Sequence, residues 1–193
     1  MSELVAERVV IRKQGRGTFL APFSPERMLN SFWHFVRKDG YREVPIVQTL
    51  RFERASADVE TANMLAIRSG APIYRILNLM LMGGNPVLVD ELRISQALFP
   101  GLTKAQFVAR DTTVYGLYQN RFRISIVRTV DSLRAASADR ETAKLLAIST
   151  GAPLLEVLRV AYTFHEQPVE CRRALLNSDK YEFRAVTGGP SPA

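Results

Sequence analysis

The chain has 193 residues, 47% of them apolar and 23% charged, with a formal net charge of +7; this is enough apolar material for one large or two small domains with a buried core, and the cationic excess suits an acidic partner such as nucleic acid. A lone cysteine, Cys171, excludes an intrachain disulfide and any multi-cysteine zinc site, and two histidines, His34 and His165, are too few for a transition-metal cage. The longest apolar stretch, Leu77 to Val89, is interrupted by Asn78, Gly83, Gly84 and Asn85 and falls short of the ~20 residues of a membrane span. With acids at Glu3 and Glu7 and no secretory signal, the expectation is a soluble, cytoplasmic protein without metal or cofactor.

In chain order, Arg8 to Arg16 holds four cations and no acid. Val9 to Arg12 alternates as a strand, Lys13 to Arg16 turns and Gly17 to Leu20 returns, which makes a basic two-stranded ribbon. Pro25 to Lys38, opened by Ser24-Pro25, is predicted as a helix carrying Met28, Phe32 and Phe35 toward a core. A strand is predicted at Val44 to Phe52. From there the chain repeats itself: thirteen of eighteen positions are identical between residues 55–72 and residues 136–153. Each copy continues into an apolar run, a polar turn ending in Pro-Val (Pro86-Val87 and Pro168-Val169), and a second run.

Within each copy, Asp58 or Asp139 caps a short helix whose apolar residues (Ala62, Leu65 and Ala66; Ala143, Leu146 and Ala147) recur at helical spacing. The Gly-Ala-Pro that follows is expected to end it. Ile73 to Met82 and Leu154 to Phe164 are strands, each joined to its successor as a hairpin, and Ile124 to Leu133 is the strand preceding the second helix. Val114 to Gln119 forms a short helix between the copies. Each unit is therefore β-α-β-β, too small to bury both sheet faces alone, and two units sharing one antiparallel sheet with the helices on one face solve that problem. The tail Val186 to Ala193, rich in glycine and proline, is expected to be disordered.

Two stretches carry a resemblance. Arg12-Lys13-Gln14-Gly15-Arg16-Gly17-Thr18-Phe19 resembles the wing of a GntR-type winged helix-turn-helix, which implies DNA contact by Arg12, Lys13, Gln14, Arg16, Gly17 and Thr18. The remainder resembles the UTRA effector-binding domain of the HutC subfamily, on Gly70-Ala71-Pro72, Pro86-Val87, the segment Ala97 to Leu102, Glu166 to Glu170, and Asp179 to Phe183. The resemblance implies an α+β, chorismate-lyase-like fold, in line with the two β-α-β-β repeats. It divides the chain into a wing remnant at 1–20, a linker at 21–25, an effector domain at 26–185 and a tail at 186–193. The family's reading head lies largely before this chain's first residue, so weak, salt-sensitive DNA binding with little base readout is expected of the chain by itself.

The family's effector contacts, carried over by resemblance, fall on Ser31, Phe32, Asn78, Met80, Asp90, Thr113, Tyr115 and Glu170, with Arg172 one strand period beyond Glu170. Phe32 and Met80 serve equally well as core residues, and Asp90 and Glu170 as solvated strand ends. Phosphosugar-binding members carry an arginine pair where this chain has Asn78 and Met80, which disfavours a phosphosugar. Acids facing the site suit hydroxyls or an amine, and Arg172 leaves a zwitterion open. The function implied is effector sensing and dimerisation in a bacterial regulator that acts as a repressor on operator DNA. The alternatives are a chorismate-lyase-like enzyme, for which the two histidines and one cysteine assemble no catalytic set, and a dimerisation module without ligand.

Overall fold

Six antiparallel strands form one sheet whose order displays the duplication directly. The computed structural model describes residues 10–13, 17–20 and 32–185. The first unit supplies β4 (Ile46–Ser56), α1 (Val59–Leu65), β5 (Pro72–Met82) and β6 (Asn85–Ser95). The second supplies β7 (Arg128–Ser137), α4 (Arg140–Leu146), β8 (Pro153–Tyr162) and β9 (Pro168–Leu176). The sheet runs β4-β5-β6-β9-β8-β7, so the last strands of the two units meet at a central seam and their first strands form the outer edges. This is the α+β fold of two β-α-β-β repeats that the sequence predicts.

Asp58 and Asp139 cap their helices as expected, each accepting from the backbone N–H three residues on at 2.7 Å. Helix α1 then packs on β9 and α4 on β6, so each unit's helix lies across the seam on its neighbour's strand. Ala62 and Leu65 cluster with Ile73 and Cys171, and Ala143 and Leu146 with Val89 and Leu175. Burying each leucine contributes roughly 1.5 to 3 kcal/mol. The helices do not end at Gly-Ala-Pro. They stop at Leu65 and Leu146, and Ala66 and Ala147 turn into the left-handed region (φ 51° and 54°). Gly70 and Gly151 come later, where their N–H groups return to Ala57 and Ala138 and aim the chain into the next strand.

Side chains alternate across a strand, so the opposite face presents Tyr74 and Ile76 of β5 and Leu92 and Ile94 of β6. The segment between the units covers it, with α2 (Lys104–Val108) and α3 (Val114–Phe122) contributing Phe107, Tyr115, Leu117 and Tyr118. Helices thus pack on both faces. The repeat helices share one, and the intervening pair takes the other.

The predicted helix Pro25 to Lys38 is corrected over its described part. Phe35–Arg37 is a strand, β3, paired antiparallel with β10 (Tyr181–Phe183). The aromatics here follow a period of two and not of 3.6. Trp33 and Phe35 stack edge to face at 4.9 Å in one cluster, while Phe32 faces Tyr115 at 5.6 Å in another. A helix could not serve both. Near the N-terminus, β1 (Val10–Lys13) and β2 (Gly17–Leu20) pair as a ribbon, with Arg12 opposite Thr18 and Lys13 opposite Gly17. Gln14, Arg16, the linker 21–25, residues 25–31 of the predicted helix and the tail 186–193 lie outside the described residues.

The exposed alanines at the helix ends make a stability test. A left-handed alanine costs about 1 to 2 kcal/mol, and glycine's extra unfolded-state entropy takes back about half of that. Ala66→Gly and Ala147→Gly are therefore each expected to raise unfolding stability by about 0.5 kcal/mol in urea titrations. Destabilisation by either would show that the alanine methyl packs in a way that outweighs its strain.

Candidate functional site

A cavity of about 320 Å³ opens between the second face of the sheet, the segment 32–47 and the residues leading into α3. Phe32, Trp33, Val47, Met80 and Val114 form its apolar side. Its polar side has Arg110, Arg159 and Arg172 reaching it, the exposed Asp111, and Thr112 and Thr113 at the start of α3. Thr113 caps that helix by accepting from the Gly116 N–H at 3.0 Å. A β-carbon at Gly116 would stand 2.3 Å from the Thr112 hydroxyl, so glycine keeps Thr112 in place at the cavity wall.

The arginines are positioned by rows of paired residues running across the sheet. Asp131, Arg159, Arg172 and Leu92 are successive cross-strand partners on β7, β8, β9 and β6. Two guanidinium groups side by side repel, and each is compensated. Asp131 takes Arg159 in a two-pronged pair at 2.7 and 2.6 Å. Arg172 lies between Asp90, 3.2 Å from its Nη1, and Glu170, 2.9 Å from its Nη2. Arg159 also donates to the backbone carbonyl of Phe32 at 2.7 Å.

Behind Arg172 both acids are fully buried. Glu170 accepts from the Tyr118 hydroxyl at 2.6 Å and from Tyr115 at 3.3 Å. Burial pushes both phenols above their ordinary range, with the Glu170 charge adding to it. Burial opposes the charge on Arg172, but Asp90 and Glu170 outweigh it and hold the guanidinium protonated. Asp90 fares worst. Burial lifts its carboxyl to about 6 against the pull of Arg172, and its Oδ1 has no hydrogen-bond partner among the described residues.

The residues singled out from the sequence divide accordingly. Phe32, Met80, Thr113, Tyr115 and Arg172 line the cavity. Asn78, Asp90 and Glu170 are fully buried beneath it, and Ser31 lies outside the described residues. Asp90 and Glu170 both turn to Arg172, as a buried carboxylate needs a counter-charge. Asn78 receives the Thr49 hydroxyl at 2.9 Å and points its amide at Asp90, 3.5 Å away. Sequence reasoning missed Trp33, Arg110 and Arg159 as lining residues. Arg159 was reachable, because it occupies the place in the second copy that Asn78 holds in the first.

A duplicated antiparallel sheet with a cavity on one face is an arrangement suited to holding a small molecule. The UTRA domain family matches residues 41–182, and the chain belongs to that family. A solved structure of the ligand-binding domain of a protein described as a GntR-family transcriptional regulator, from Bordetella bronchiseptica, shares 32% identity at a TM-score of 0.76, covering 80% of this chain and 96% of that one. The Bacillus subtilis repressor NagR is 25% identical over 184 residues, 95% of this chain and 74% of its own length. The histidine utilization repressor of Pseudomonas putida is 27% identical over 178 residues, 91% of this chain and 69% of its own. The chain is thus the effector-binding domain of a GntR-type regulator of the HutC kind, a family of regulators and not of enzymes. No helix among the described residues is long and apolar enough to cross a membrane.

The buried acid gives a pH test. A carboxyl raised from its ordinary 3.8 to about 6 by folding holds its proton longer in the folded chain, so stability falls as pH rises between those values, by on the order of 3 kcal/mol. Asp90→Asn removes this fall while keeping an acceptor for Arg172. Thermal melts should show the variant gaining on the wild type from about pH 4 to about pH 6 and keeping a constant lead above. A lead independent of pH would mean that Asp90 titrates normally.

Proposed function

We propose that the cavity is the effector site and that filling it changes how the segment entering the domain is held. The observation that supports this most directly is the bond from Arg159 to the Phe32 carbonyl. One guanidinium both lines the cavity and anchors the stretch of chain that leads back toward the basic ribbon. A ligand that engages Arg159 strengthens or competes with that anchor. It then shifts operator affinity only as far as it binds the two arrangements unequally. In the whole regulator the domain senses a metabolite in the cytoplasm and relieves repression when occupied, a reading in keeping with relatives that are named repressors. In the ribbon, Arg12 and Lys13 together with Gln14, Arg16, Gly17 and Thr18 would meet the DNA backbone. A phosphosugar remains disfavoured, since Asn78 and Met80 stand where phosphosugar-binding members carry arginines.

The working unit in this reading is a homodimer. Among the described residues the outer strands β4 and β7 each leave an edge unpaired in the sheet and expose Ile46, Leu50, Val130 and Leu133, a surface that soluble proteins usually cover. Sedimentation should give twice 21.7 kDa, and a monomer at tens of micromolar would contradict it.

Thermal denaturation against pooled metabolites tests the site. The expected result is a rise in Tm with no turnover of any compound, abolished in Met80→Trp, which fills the cavity from its apolar side. A Tm rise that survives this substitution would move the effector elsewhere, and product formation would return the enzyme reading.

A further inference from the structure

Accepting the cavity as the effector site, its walls say which chemistry it takes. Two N–H donors on residues that line it, Trp33 Nε1 and Arg110 Nε, are buried without an acceptor among the described residues. Such donors are rare in folded proteins and ask for a partner. Arg110 bonds only to the backbone carbonyl of Phe107, over whose ring its guanidinium lies at 4.5 Å. It has no ion pair among the described residues; neighbouring Asp111 lines the cavity but is exposed. The other two arginines at the cavity have their carboxylates. The third, Arg110, has no carboxylate in contact among the described residues, while Asp90 acts on it from a distance and Asp111 beside it also lines the cavity. Of the acids near the cavity, Asp131, Asp90 and Glu170 are engaged by Arg159 and Arg172, and Asp111 is exposed.

We infer that the effector is a small monoanion, a carboxylate on a compact apolar or aromatic body, with the carboxylate received by Arg110 and the body lying against Phe32, Met80 and Val114. A planar carboxylate matches the fork of donors on the one cavity guanidinium that no carboxylate touches among the described residues and whose Nε lacks an acceptor. A phosphate dianion would need a second free guanidinium. A neutral polyol would leave the Arg110 charge without a counter-ion in contact. The volume of about 320 Å³ suits a body of one ring or a short chain.

Trp33 is the chain's sole tryptophan, so its emission reports occupancy. The probes are 3-phenylpropionate, 4-phenylbutyrate and hexanoate, each beside its own primary amide, with phenethylamine and glucose 6-phosphate as the opposing classes. At least one carboxylate should shift Trp33 emission and bind on the order of tenfold or more tighter than its amide. Arg110→Gln should erase that preference, and Arg110→Lys should keep part of it, with both variants melting as the wild type does. Equal binding of acid and amide, silence from every carboxylate at millimolar concentration, or preference for the amine or the sugar phosphate would overturn the inference. In the last case the emission change would leave the cavity reading standing. A metabolite that raises Tm without moving Trp33 emission would instead overturn the cavity reading itself.

Discussion

Everything at the centre of this domain depends on one guanidinium, that of Arg172, whose side chain is 14% exposed. Arg172 sits where the two repeats meet, and Asp90 reaches it from β6 across the seam while Glu170 reaches it along its own strand. Removing three charges from water is costly, and their mutual attraction offsets that cost only if the geometry is good. Glu170 meets this condition through two tyrosines as well as the arginine. The cluster also fixes the register of β6 on β9. A slip of one residue would send Asp90 and Arg172 to opposite faces of the sheet.

The duplication explains how one sheet builds an asymmetric cavity. Counting from the proline of each hairpin, Asp90 in the first copy and Arg172 in the second hold the same place. Likewise Asn78 corresponds to Arg159, and the pair Thr49 and Asn78 to the pair Asp131 and Arg159. The first copy carries a neutral amide and a hydroxyl in its row, and the second an ion pair. Where the rows meet, acid faces base. The cationic wall of the cavity thus comes largely from the second copy, and the apolar wall from the first copy and from the segment 32–47 that closes over it.

Much of this was legible because it is local or periodic. The repeat, both aspartate caps, the Gly83-Gly84 hairpin turn with φ of 55° and 78°, and the order of strands and helices follow from spacing and turn chemistry. Phe32 to Arg37 was misread because Met28, Phe32 and Phe35 mimic a helical stripe, whereas pairing with Tyr181 to Phe183 is a contact across most of the chain. Ala66 and Ala147 concealed the true helix ends, since alanine announces no left-handed turn. The orientation of Asp90 and Glu170 depended on which strand met β6, and residue types alone do not say that both carboxylates turn toward one arginine. Arg110 is the plainest gap. It belongs to a loop, and only the folded chain shows that it reaches the cavity with no ion pair among the described residues.

The central claim is that Arg172 is held by, and in turn makes tolerable, the two buried acids. It is tested by comparing Arg172→Met with the triple variant Arg172→Met, Asp90→Asn, Glu170→Gln in equilibrium urea unfolding. The single substitution strands two carboxylates in the core and should cost about 3 to 5 kcal/mol. The triple variant should recover most of that loss, because neutral amides can share hydrogen bonds with Asn78 and the tyrosines. If the triple variant proves as unstable as the single one, or if Arg172→Met costs less than about 1 kcal/mol, a value typical of exposed pairs, then the seam is held together by apolar packing alone and the arginine is not its keystone.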